Sequence, residues 1–510
     1  MRRAKQLLLH TSAMTATSLL MRTIALVFQV YVAGKIGAAG IGLFQLVMYT
    51  LATTVAVSGV RLAATRLIVQ QTGRGDDAAI RRATGCAMGY AAFFGMAALL
   101  LLYYLAPAAA AWVGDDRIIL SLRVLAFALP FVAASGAMGG YFIAMHQSVK
   151  MSLVQLSEQF IRIGCTVLAL LRLGGYGLEY ACGALTLGML ASEVFSFLAL
   201  LLLLLASLPR RKGRCRTSML PSLLRITVPL SLSSYARSAL STAQHLLVPR
   251  GLRLFGGGAQ AALAAYGVIQ GMSLPILLFP AALIAVIADL IVPELTEAQV
   301  QGRLRGLGYM LERLYRLGLF FSMAVAGACF FFAHPLGELI YSEPAAGQYI
   351  RLLAPLVPIM YMDTLVDGML KGVGEYRANM RYNIIDAATG LLLVWLLLPR
   401  YGVAGYLFSI SATELLNFAL SAARLTRVTV FRLQPLCWLL TAAAAVGGWW
   451  LLRLIFGRLL SRTGQPLILL LLVVLYLACY GAALLLCGAL RREELSWLFS
   501  LLRGEKSPKT

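Results

Sequence analysis

Apolar runs of about 20 residues, the length a helix needs to cross a bilayer, recur through this chain from one end to the other. Inside a bilayer the backbone finds no water, so only helices and closed barrels satisfy its N–H and C=O groups. A barrel shows short strands of alternating polarity, whereas stretches such as Leu198 to Leu205 are continuously apolar. With 13% of residues charged, the 510-residue chain is not a string of soluble domains. The pattern predicts an all-α polytopic membrane protein of about 14 transmembrane helices, the first at 8–33 and the last at 466–490.

Prolines punctuate these spans. Pro107, Pro209, Pro335, Pro399 and Pro466 fall at or near expected ends, while Pro229, Pro275, Pro280, Pro355 and Pro358 fall inside and predict kinks. The formal charge of +23 would suggest nucleic acid in a soluble protein. In a membrane protein it marks cytoplasmic loops, and no nucleic-acid partner is expected. Of the 44 Lys and Arg, 28 fall on the N-terminus, the even-numbered connections and the C-terminal tail. Only 11 fall on the odd-numbered ones, and five lie inside spans. This places both termini in the cytoplasm and the protein in the cytoplasmic membrane. The start, Arg2-Arg3-Ala4-Lys5, resembles a signal peptide, but its apolar stretch runs on past Arg22 and is read as the first helix. The eight cysteines are scattered without ligand or disulfide spacing.

The chain repeats itself. Gly42-Leu43-Phe44-Gln45 matches Gly267-Val268-Ile269-Gln270, and Tyr176-Gly177 matches Tyr401-Gly402. Arg123-Val124-Leu125-Ala126 with Pro130 matches Arg351-Leu352-Leu353-Ala354 with Pro358, and Ala191-Ser192-Glu193 matches Ala412-Thr413-Glu414. The common order and nearly constant offset predict two parallel repeats of six spans, as in alternating-access carriers. The expected organisation is a first lobe at 1–206, a basic linker at 207–222 and a second lobe at 223–424. Two accessory helices at 435–490 and a basic tail at 491–510 complete it.

Charges inside spans are costly and mark function. Arg22 and Arg237 lie mid-span in the first helix of each repeat, each followed seven residues later by a glutamine, Gln29 and Gln244. Two guanidiniums at one depth need an anion or carboxylates, and a pyrophosphate suits their bidentate geometry. The alternative is permanent pairing of each arginine with a carboxylate in its own half. Gln29, Gln45, Gln244, Gln270 and Arg61 complete the candidate substrate contacts. Glu158 and Arg162, one turn apart, form an ion pair or a coupling site. Glu193, Glu414 and Asp386 are counter-ion or cation-coupling candidates. Asp363, Asp367 and Lys371 form one charged helix face, an inner gate or a solvated helix end. His245 is read as a packing residue, and Gly136 and Gly140 as a close-packing motif. No nucleophile elbow, P-loop or metal motif is present, so neither an enzyme nor a cofactor or metal site is expected.

These residues resemble the multidrug/oligosaccharidyl-lipid/polysaccharide exporter superfamily, and within it the stage V sporulation protein B-like polysaccharide and oligosaccharide flippase branch. The resemblance rests on Gly40-Ile41-Gly42-Leu43-Phe44, on Gly59-Val60-Arg61-Leu62-Ala63-Ala64-Thr65-Arg66-Leu67 and on Glu158-Gln159-Phe160-Ile161-Arg162. Pro293-Glu294-Leu295-Thr296-Glu297-Ala298 and Leu370-Lys371-Gly372-Val373-Gly374 extend it. It implies a MATE-like pair of lobes and a flippase for undecaprenyl-pyrophosphate-linked oligosaccharide, with sodium or proton coupling and membrane lipid as partners. Lipid II flippases are more distantly similar; Arg22 matches one arginine of their first helix, but Phe28 and the Ile269-Gln270 region stand where two others lie. The alternatives are a cation-coupled multidrug exporter and a non-transporting scaffold for envelope or spore-coat assembly. Multidrug exporters of this fold often carry an aspartate five residues before a glycine of the first helix, where this chain has Gln29 before Gly34.

Overall fold

A computed structural model describes residues 2–54, 58–72, 77–145, 147–208, 220–256, 258–302, 304–432, 434–460 and 463–488. Most of the expected basic linker and the tail lie outside the described residues. The helices of the N-terminal half are α1 (Arg2–Thr54), α2 (Ser58–Thr72), α3 (Asp77–Val113), α4 (Ile118–Ala126), α5 (Leu129–Ala144), α6 (Ser148–Leu173) and α7 (Leu178–Ser207). Then come α8 (Leu220–Leu254), α9 (Ala259–Gly267), α10 (Leu274–Leu278), α11 (Ala281–Val300), α12 (Leu304–Phe331), α13 (Ala333–Tyr341) and α14 (Pro344–Leu353). The last four are α15 (Val357–Gly372), α16 (Tyr376–Val428), α17 (Pro435–Leu460) and α18 (Pro466–Leu486). Among the described residues there is no strand.

By their contacts these helices form two compact units. One gathers Ala16–Gly267 and Ala387–Ser409; the other gathers Val268–Asp386 and the helices after Ile410. Ten helices among the described residues are long and apolar enough to span a membrane, or 11 with α4 and α5 taken together. The chain is a multi-pass membrane protein. Two of its helices are too long for one crossing: α1 and α16 each run 53 residues, about 80 Å against a hydrocarbon core of about 30 Å. Each turns at a glycine, Gly37 (φ 69°, ψ 179°) and Gly402 (φ 55°, ψ −132°), in backbone regions that a side chain disfavours. Each therefore joins two of the spans expected from sequence.

Prolines break the helices in matching places. α4 and α5 bend by 43° at residues 127–128, just before Pro130. α14 and α15 are separated by a 3₁₀ turn, Ala354–Leu356, with Pro355 inside it and Pro358 after it. The eighth expected span is interrupted twice, by a π-helical segment at Val268–Ser273 and by a break at Pro280. Pro275 lacks the N–H that would hold the regular ladder there. One expectation needs correcting: Pro107 does not end its span but lies inside α3, whereas Pro399 stands three residues before the Gly402 turn of α16, at the end of a span as expected. Membrane helices absorb an internal proline because neighbours re-satisfy the freed carbonyl.

Equivalent contacts recur in the two units. The Arg123 guanidinium lies 5.1 Å from the Tyr103 ring centroid, and the Arg351 guanidinium lies 5.2 Å from that of Phe330. Both are cation–π contacts from the first part of a broken span to an earlier helix, α3 for Arg123 and α12 for Arg351. The glycines matched in sequence, Gly42 and Gly267, meet each other within one unit: a Cβ on Gly42 would strike Leu263 O and the Gly267 backbone, and one on Gly267 would strike Ala38 O and the Gly42 backbone. Only glycine allows this backbone-to-backbone crossing of α1 on α9. Gly140 makes a similar approach, to α2 at Arg61 and Ala64, where Thr65 Oγ1 also donates to Gly140 O (3.2 Å). The C-terminal helices α17 and α18 pack on α12 through Phe332, Leu452, Leu472 and Tyr476, and the Tyr480 hydroxyl donates to Phe320 O (3.0 Å).

Candidate functional site

Among the described residues, Arg22 and Arg237 sit without a protein partner. Arg22 on α1 and Arg237 on α8 are both exposed, and among the described residues neither forms an ion pair or hydrogen bond. The permanent carboxylate pairing considered from sequence is not present among these residues. Gln29, Gln45, Gln244 and Gln270 are half-buried and Arg61 is exposed. The Gln244 amide lies against Gly390 of α16, where a Cβ would come within 2.7 Å of its Oε1. Gln270 occupies the π-helical segment, a geometry that concentrates at functional sites.

A second group lies between α6 and α7. Arg162 Nη2 donates to Glu158 Oε1 (2.6 Å) and lies 3.7 Å from Glu193 Oε1, and its Nε donates to Ser192 Oγ (3.3 Å). The sequence pairs Glu158 with Arg162; the structure adds Glu193 and Ser192 from the facing helix. One turn away a Cβ on Gly188 would strike Thr166, so the two backbones touch and hold the cluster at fixed spacing.

A third group is acidic and lies between α15 and the C-terminal arm of α16. Asn417 Nδ2 donates to Asp363 Oδ2 (2.9 Å), and Ser421 Oγ donates to Asp367 Oδ1 (3.2 Å). The two acids one turn apart thus meet two polar side chains one turn apart. The Asp363–Asp367 face, open between gate and solvated end on sequence grounds, is turned toward a neighbouring helix. Asp386 and Glu414 lie within electrostatic reach of Asp363. Asp363 Oδ1 and Asn417 Oδ1 are buried acceptors without a hydrogen-bond donor among the described residues. Such oxygens suit a proton or a hard monovalent cation.

Sequence reasoning missed Asn417, Asn379, Asn383 and Ser421. Asn379 with Asn383, and Asn417 with Ser421, stand about one turn apart along α16, a usable signal, but only the fold shows that Asn417 and Ser421 face acids 54 residues away and that Asn383 donates to Asp367 (3.4 Å). It also missed the fork in which Arg424 Nε and Nη2 grip Glu375 (2.9–3.1 Å). His245, read as packing, is buried with its ring stacked 3.5 Å from that of Tyr49 and its Nδ1 3.1 Å from the Tyr266 hydroxyl.

Comparison with known proteins places these features in a family. The chain is 25% identical over 441 residues to stage V sporulation protein B of Bacillus subtilis (strain 168), covering 83% of this chain and 85% of that one. It is 19% identical over 378 residues to sporulation protein YkvU of the same organism, covering 73% and 83%. In fold it is similar to the lipid II flippase MurJ in an inward closed conformation, with TM-score 0.69, 14% identity and coverage of 92% and 97%. An inward-facing multidrug resistance MATE transporter of the MOP superfamily is also similar, with TM-score 0.62, 16% identity and coverage of 80% and 95%. The family model described as polysaccharide biosynthesis protein matches residues 7–291, more than half of the sequence, and the chain belongs to that family.

Proposed function

We propose that this protein is a flippase that carries an anionic lipid-linked oligosaccharide, undecaprenyl-pyrophosphate-bound, across the cytoplasmic membrane by alternating access. The observation that carries this reading is the pair Arg22 and Arg237, two mid-span guanidiniums that among the described residues have no protein anion. A charge at that depth costs about 2.5–3.5 kcal/mol on insertion scales and is kept where it serves a ligand or pathway. Arginine forks match pyrophosphate oxygens and stay charged at any cellular pH. Likeness to a lipid II flippase and membership of a polysaccharide biosynthesis family support the class of substrate. In this reading the repeats at 1–206 and 223–424 rock about the substrate and both termini face the cytoplasm. Gln29, Gln45, Gln244, Gln270 and Arg61 contact the headgroup, and helices 435–490 guide the lipid chain. The acids Asp363, Asp367, Asp386 and Glu414 supply ion coupling, to sodium or protons.

A second reading, a cation-coupled multidrug exporter, draws on the likeness to MATE transporters and on the same acids. Purified protein in proteoliposomes, given a fluorescent undecaprenyl-pyrophosphate oligosaccharide or a cationic dye, separates the two. Flipping without dye uptake supports the flippase; dye uptake alone overturns it.

A further inference from the structure

The two repeats carry matching helical hairpins with different charges. α6 and α7 meet near Gly177, and the two arms of α16 meet at Gly402, each preceded by a tyrosine. Past the turn, Ser192-Glu193 corresponds to Thr413-Glu414, and the two hydroxyls behave alike: Ser192 donates to Met189 O (2.8 Å) and Thr413 to Ile410 O (3.0 Å). Counted back from the turn, Glu158 corresponds to Asn383 and Arg162 to Ala387. The first hairpin therefore has an arginine where the second has alanine beside Asp386.

The first-hairpin guanidinium is held as an ion is held. Two carboxylates approach it from different helices, at 2.6 and 3.7 Å, and a fully buried serine hydroxyl accepts its Nε–H. Arg61 of α2 also lies within electrostatic reach of Glu193, without an ion pair to it among the described residues, and stays there when Arg162 is replaced. Its side chain is 26% exposed, against 16% and 17% for the two glutamates, so the carboxylates are more enclosed than the cation that joins them. The α6–α7 spacing is set by the Thr166–Gly188 contact, which keeps the backbones that carry the two acids close together.

We infer that the Glu158–Glu193–Ser192 cluster is a monovalent-cation site whose cation is the chain's own Arg162. The first repeat is thereby locked in an ion-loaded form, and exchangeable ions are confined to the second repeat. Without the guanidinium, the two carboxylates and the hydroxyl take a sodium ion or a proton in its place. This inference goes beyond the transport reading and stands whether or not that reading does, because its test needs no substrate.

The test is thermal unfolding of the full-length protein in detergent, comparing wild type with Arg162→Met. One series replaces sodium by choline at fixed pH, and another lowers the pH at fixed sodium. The expected result is a Tm loss of several degrees in choline at neutral pH that sodium or acid reverses; which of the two works identifies the ion. In Glu158→Gln/Arg162→Met/Glu193→Gln that added ion dependence should vanish. Arg162→Lys should remain close to wild type. A Tm difference between wild type and Arg162→Met that is equal in sodium, in choline and at every pH overturns the inference. Where Arg162→Met does not fold, recovery in the triple variant supports it. Failure of both the triple variant and Arg162→Lys overturns it, because the shape of arginine rather than its charge is then what the site requires.

Discussion

Arg22 and Arg237 carry different consequences from Glu158, Arg162 and Glu193 because nothing among the described side chains balances them. Replacing both with alanine should lower flipping at least tenfold while leaving Tm unchanged or slightly raised, since an uncompensated charge is removed from the membrane. Arg22→Lys with Arg237→Lys should recover only part of the rate, because lysine keeps the charge and loses the fork. Full flipping by the double alanine variant would remove both residues from the mechanism. Asp115, outside the spans, gives a separate prediction about acid. Burial works to raise its pKa, but hydrogen bonds from the Arg117 side chain (2.6 and 2.9 Å) and backbone (3.1 Å), with the charge of that guanidinium, outweigh it and hold the carboxyl low. A depressed folded pKa stabilises above the unfolded value and loses that contribution as pH falls through the folded one. Thermal unfolding of wild type and Asp115→Asn should therefore differ most near neutrality and converge in acid. A gap that is constant with pH would show that the acid contributes through shape alone.

At the scale of the helix, glycine and proline did much to make the fold readable. Tyr-Gly punctuation marked both hairpin turns, and the paired Arg-to-Pro stretches marked two spans that are in fact broken in the same way. The i, i+4 spacing also found the Glu158–Arg162 pair. What could not be read was anything across helices: Asp363 with Asn417, Asp367 with Ser421, and Glu193 with Arg162 join residues 31 to 54 positions apart. Local pattern has no access to which faces pack together. Pro107 misled because a proline inside a membrane helix costs one hydrogen bond, not the helix. The Gly42–Gly267 crossing shows how a repeat seen in sequence becomes a contact in space. Gly267→Val should overpack it and cost about 1–3 kcal/mol, read as a lower Tm. Gly164→Ala, at a helical glycine with open space around it, should cost nothing. Equal stability of the two variants would mean that the crossing separates freely.

For the molecule as a whole, the two matched hairpins differ in charge, and in the proposed transport reading that difference decides where an ion gradient can act. The first repeat closes its acids on Arg162, whereas the second gathers Asp363, Asp367, Asp386 and Glu414 around amides and hydroxyls. A driving ion must bind and leave in each cycle, and a tethered guanidinium cannot leave. Coupling should therefore follow the second cluster alone. In proteoliposomes, an imposed sodium or proton gradient should accelerate flipping of the pyrophosphate-linked probe by wild type and by Glu193→Gln. Glu414→Gln and Asp363→Asn should flip at the ungraded rate and not respond, because each removes an acceptor that the exchangeable ion needs. The three variants also guard against a trivial outcome, since each loses one half-buried acid and all should be comparably perturbed in stability. If Glu193→Gln loses the gradient response and Glu414→Gln keeps it, the coupling site belongs to the first repeat and the division of labour between the halves is reversed.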